Sequence, residues 1–219
     1  MNRSLTARIR HFARDTVGAS MVEFSLIAFV MLLLTGGILD FGVAMFQWNA
    51  ATKAMQQGVR LASVSAPVAS GLTTMTGIGG SVVAGDPFPA FKITCTSTNC
   101  TCTGFCTGIG STPVPLTFDT IHAGRERICG TVPTGQLAGM CDIFWSIKPE
   151  NVRVIYEQTG MGFAGRPGGP VPTITIELTG LTFQLPFLNS LLRLPTTTFP
   201  IPAMSTSATG EDLSTAAPS

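Results

Sequence analysis

The side chain best placed to do chemistry is a carboxylate at the edge of an apolar stretch. The run reads Gly18-Ala19-Ser20-Met21-Val22-Glu23-Phe24, and a long hydrophobic segment follows it. A lone acid at an apolar border is costly, so Glu23 needs a partner. If the chain is cut after Gly18, Ala19 carries a new α-ammonium. Glu23 then lies four residues along the helix from it, and a neighbour's ammonium, or its own, can neutralise the acid.

Thiols are the second group. Cys95, Cys100, Cys102, Cys106, Cys129 and Cys141 all lie beyond the apolar stretch. An even number on one side fits an oxidising compartment. A structural zinc site usually pairs its thiolates as Cys-x-x-Cys, and the cluster from Cys95 to Cys106 contains no such pair. Outside the N-terminal head the only histidine is His122. Disulfides that staple a Gly- and Thr-rich loop are therefore expected, and no metal or other cofactor is. The spacing does not choose among the possible pairings.

Enzyme signals are missing. There is no His-Glu-x-x-His, no Gly-x-Ser-x-Gly elbow and no phosphate-binding loop. Gly160, Gly162 and Gly165 match the dinucleotide-binding spacing, but that motif must open a helix. Here Arg166, Pro167, Gly168, Gly169 and Pro170 follow, so the segment reads as a loop between strands. The protein is expected not to be an enzyme. A net charge of +1 gives no pull toward nucleic acid.

These residues need elements to hold them. Residues 1–18 form a basic leader with Arg3, Arg8, Arg10 and Arg14 against Asp15, which the positive-inside rule keeps in the cytoplasm. Phe24 to Phe46 is apolar apart from Asp40 and as a helix spans roughly 34 Å, enough for a hydrocarbon core of about 30 Å. Asp40 is expected near the outer interface, snorkelling to water. Beyond it, Phe41, Ala44, Trp48, Ala51, Met55, Val59 and Ala62 share a stripe opposite Asn49, Lys53, Gln56 and Arg60. The stripe packs on the protein's own domain, on neighbouring rods, or on both. Residues 19–65 are thus one transmembrane and amphipathic helix, ended by Pro67. Residues 66–208 form an exported β-rich domain, with alternation over Asn151–Glu157 and Thr173–Leu178 and a last strand within Thr196–Thr206. Residues 209–219 read as a disordered tail. The fold class is α+β: a long N-terminal helix packed on a small antiparallel sheet domain with a Cys-rich loop.

Gly18 and Glu23 ahead of a long apolar helix resemble the processing site of type IV-pilin-like proteins. With Gly37-Ile38-Leu39-Asp40-Phe41-Gly42 and Gln57-Gly58-Val59-Arg60-Leu61-Ala62, the sequence is similar to the TadE-like minor pilins, or pseudopilins, of tight-adherence (Flp-type) pilus systems. The resemblance covers about residues 10–65. It implies cleavage between Gly18 and Ala19 by a prepilin peptidase, and assembly with other pilin-like subunits and the inner-membrane pilus machinery through Glu23 and Phe24. It places the chain in a bacterial inner membrane, single-pass, with its C-terminal domain periplasmic or extracellular and the lipid bilayer as a partner. Phe24 stands where the main pilins of such systems carry Tyr, which favours the minor type. Six cysteines are outside the family pattern. The competing reading is a membrane-tethered periplasmic binding domain on an uncleaved signal anchor. A third is a secretory signal peptide cut after Ala44.

Overall fold

The structure, a computed structural model, describes residues 16–130, 132, 134–192, 198–210 and 213. Most of the basic leader and most of the tail expected at 209–219 lie outside these residues. The chain divides into two units. One comprises residues 1–45 with 184–197, and the other residues 46–183 with 198–219.

Helix α1 runs from Thr16 to Val64. Its sequence is free of proline and rich in Leu, Ala and Met, so nothing interrupts the i to i−4 ladder. Several of its hydroxyls are satisfied within the helix. Ser25 Oγ donates to the Val22 carbonyl at 2.8 Å and Thr35 Oγ1 to the Met31 carbonyl at 2.9 Å. Pro67, three residues past Val64, cannot continue the helix.

In the larger unit a five-stranded antiparallel sheet has the order β2-β1-β3-β4-β7. Its strands are β1 (Phe91–Cys95), β2 (Cys100–Gly104), β3 (Val152–Glu157), β4 (Thr173–Leu178) and β7 (Met204–Thr209). Two short strands, β5 (Thr182–Gln184) and β6 (Thr198–Pro200), pair separately. The expected last strand is therefore two strands, and the prolines at 200 and 202 fall at the end of β6 and in the gap before β7. Helices α2 (Pro115–Ala123) and α3 (Met140–Ile143) lie between β2 and β3 in the chain.

The sheet alternates as a half-buried sheet should. Val152, Val154 and Tyr156 of β3 and Ile174, Ile176 and Leu178 of β4 are buried. On the other face Lys92 opposes Glu157 and Arg153 opposes Glu177, with ion pairs of 3.5 and 3.9 Å. The buried face joins one hydrophobic cluster with Ala51, Ala54, Met55, Val59 and Ala62 of α1. Asn49, Lys53, Gln56 and Arg60 are exposed, so this part of the helix uses its apolar stripe to build its own domain's core. At Gly58 a Cβ would stand 2.5 Å from Met140 Sδ and 3.0 Å from Ile176 Cδ1, so a side chain there forces Met140 to shift where sheet, α3 and α1 meet.

The cysteine-rich segment carries more order than a loop. Cys95 ends β1 and Cys100 begins β2, and the two are direct cross-strand partners. Past residue 208, Thr209 still belongs to β7, the Gly210 N–H donates to the Pro172 carbonyl at 2.8 Å, and Leu213 packs against the core.

Candidate assembly site on the N-terminal helix

Gly18, Ala19, Glu23 and Phe24 all fall in the first turns of α1. Gly18 is exposed, and a Cβ built there meets nothing within 4 Å. The fold therefore places no demand for glycine at this position, and neither does the helix, where glycine is less favourable than almost any other residue. Glu23 is exposed, and among the described residues it has no ion-pair partner. Phe24 is 71% exposed. The carboxylate thus stands at the head of an uncovered apolar surface that includes Leu26, Ile27, Phe29, Leu32, Leu34 and Phe46. An apolar surface of that extent is not left to water. The helix is long and apolar enough to cross a membrane, with a mean hydropathy of 2.2 in its most apolar window, and fits a single-pass anchor.

Asp40 breaks the apolar run and behaves otherwise than expected. It does not reach for water, because it is 3% exposed. Its Oδ1 accepts the Phe187 N–H at 2.9 Å and its Oδ2 accepts the Leu188 N–H at 2.8 Å. Both donors open helix α4, Pro186–Leu192, which belongs to the same unit. One turn before Asp40 on α1, Gly36 is buried, and a Cβ there would collide with the Phe187 ring. Sequence reasoning missed this pair. The signal was a helix start at Pro186 preceded by Leu185, with no local side chain to cap it.

Three disulfides join Cys95 to Cys100, Cys102 to Cys106 and Cys129 to Cys141. The last ties the segment after α2 to α3. Asp142 holds the same segment, since its Oδ1 accepts the Gly130 N–H and its Oδ2 the Gly139 N–H, each at 2.7 Å. A ring nitrogen of His122 lies within 4.8 Å of both sulfurs of Cys129–Cys141. Those sulfurs are bonded to each other, so neither is a thiolate ligand. His122 is buried, and its Nε2 pairs with the Ile147 carbonyl at 2.9 Å, a structural bond between α2 and the approach to β3.

The glycine triplet at 160, 162 and 165 has positive φ at each position and opens no helix. The Ala164 N–H donates to the Asp86 carbonyl and Phe163 bridges to Pro87, so this loop is pinned to the loop before β1. It does not form a phosphate cradle.

The feature that stands out is therefore the helix, with Gly18 and Glu23 ahead of an uncovered apolar surface. Residues 18–60 match the family model described as TadE-like protein. This TadE-like segment contains the run from Gly18 to Phe24, Asp40 and the amphipathic stripe up to Val59. It points to a structural protein associated with a Tad pilus. No curated protein and no solved structure matches the chain.

Proposed function

We propose that this chain is a minor pilin-like subunit in the assembly of an adhesive Flp-type pilus. A prepilin peptidase cuts it between Gly18 and Ala19. The mature chain keeps α1 in the inner membrane with its N-terminus at the cytoplasmic face, and its domain is carried outside. Glu23 then pairs with the Ala19 ammonium of a sibling subunit when helices gather and water leaves the apolar layer. The observation that supports this most is the exposed acid at the head of an uncovered apolar helix, inside the TadE-like segment. A simple tether has no use for a carboxylate there.

The test is the N-terminus of the native protein. In cells with an active prepilin peptidase, sequencing and intact mass are expected to find Ala19 first. Gly18→Arg is expected to leave the leader in place, because the peptidase must fit a small residue beside the scissile bond. Intact Met1 on the wild-type protein sinks the processing step and favours the uncleaved anchor.

A further inference from the structure

The segment around α4 is the unusual part of this chain, because it returns to the apolar helix late in the sequence. Residues 184–197 group with residues 1–45. The segment reads Leu185-Pro186-Phe187-Leu188-Asn189-Ser190-Leu191-Leu192, largely apolar. Its first turn makes no demand on solvent. Pro186 has no N–H. Those of Phe187 and Leu188 go to the two oxygens of Asp40, and that of Asn189 goes to the Leu185 carbonyl at 3.0 Å. A helix start normally leaves such donors to water or to its own side chains. In hydrocarbon each unsatisfied donor costs several kcal/mol, so a backbone entering that layer must bring its partners with it.

The depth of the contact follows from α1. If residues 24–46 cross the bilayer, Asp40 lies about 9 Å inside the outer end of the span, and Gly36 one turn deeper. A bare carboxylate at that depth is expensive. Here its two oxygens are taken up by backbone donors, and the Phe187 ring covers Gly36. Acid and helix start therefore cancel each other's desolvation cost. Leu191 stays 45% exposed, on a segment whose docking partner is itself lipid-facing.

We propose that α4 is a second membrane-embedded element, dipping into the outer half of the bilayer against α1 and held there by Asp40. Its occupant is lipid, continuous with the lipid around α1. The proposal rests on α1 being a membrane span, and the experiment separates the two. All cysteines are in disulfides among the described residues, so one added thiol can be labelled alone. Leu191→Cys, Phe29→Cys and Ser81→Cys are made in the full chain, labelled with a maleimide nitroxide and reconstituted sparsely in phosphatidylcholine vesicles. Collision of the label with oxygen and with a water-soluble nickel chelate is then measured.

Position 29 reports the span and position 81 the exported domain. The label at 191 is expected to favour oxygen over nickel, as at 29, with the preference reversed at 81. Nickel preference at 191 with oxygen preference at 29 overturns the proposal and leaves the anchor intact. Nickel preference at 29 overturns both. Shielding from both reagents at 191 means that protein covers it, and also overturns the proposal. In an Asp40→Ala background the 191 label is expected to shift toward nickel while 29 does not. No shift overturns the role given to Asp40.

Discussion

The hydroxyl of Tyr156 accepts the backbone N–H of Val68 at 2.9 Å, and neither residue is exposed to solvent. The bond joins the C-terminal end of β3 to the chain just past the end of α1. It fixes where the helix hands over to the domain, and the protein's single tyrosine performs it.

Tyr156→Phe is expected to strand the Val68 N–H in a dry core, at a cost of about 1–3 kcal/mol. The shape is otherwise preserved, so denaturant unfolding should show a lower midpoint with an unchanged slope. An unchanged midpoint means that water reaches Val68.

Burial pushes the Tyr156 hydroxyl well above its usual pKa, while the Val68 hydrogen bond pulls the other way. The folded state thus favours the protonated phenol. Its contribution to stability is whole below the unfolded value of about 10 and falls as pH rises beyond it. With one tyrosine the check is direct: tyrosinate absorbance is expected to appear only together with unfolding. A normal titration near pH 10 in folded protein contradicts this.

Gly58→Leu is expected to destabilise the domain by about 1–3 kcal/mol, the usual cost of overpacking. Its side chain has to displace both Met140 and Ile176. Thermal unfolding of the sheet domain reads it out. A stability equal to wild type means that Met140 moves aside freely.

Replacing Cys129 and Cys141 together with serine is expected to cost about 2–4 kcal/mol by freeing the closed loop. The Asp142 bonds to Gly130 and Gly139 remain, so proteolytic nicking should be confined to residues 125–139. Nicking spread over the sheet contradicts a local role for this disulfide.

Glu23→Ala is expected to spare insertion and the disulfides but to weaken recruitment to sibling subunits. Losing one partner of a buried pair costs about 3–5 kcal/mol. Glu23→Asp keeps the charge one methylene short and is expected to be partly tolerated. Co-purification with siblings and a pilus-dependent adhesion assay decide it. Wild-type behaviour of Glu23→Ala in both removes the pairing mechanism.

What was legible in the sequence follows the range of each signal. Strands β3 and β4 announce themselves through strict alternation, and the apolar stripe of α1 through its helical period. Strand β1 alternates too, with Phe91, Ile93 and Cys95 buried, but its cysteine reads as a loop staple when taken alone. Asp40 could not be read correctly from its surroundings. Its hydrogen-bond partner Phe187 is 147 residues away, and nothing local betrays that a carboxylate inside an apolar run has donors waiting. That a long apolar helix starts near Gly18 was readable because its signal is local, carried by one continuous run of residues.

The disulfides pair the cysteines off consecutively along the chain: 95 with 100, 102 with 106, 129 with 141. In the orientation proposed above, with the N-terminus held at the cytoplasmic face, the residues nearest α1 cross first and these thiols emerge in that order. An oxidant that joins whichever two have most recently emerged arrives at the native pattern without error. On that proposal the domain closes its native pairs as it crosses, with no wrong pair for an isomerase to revisit.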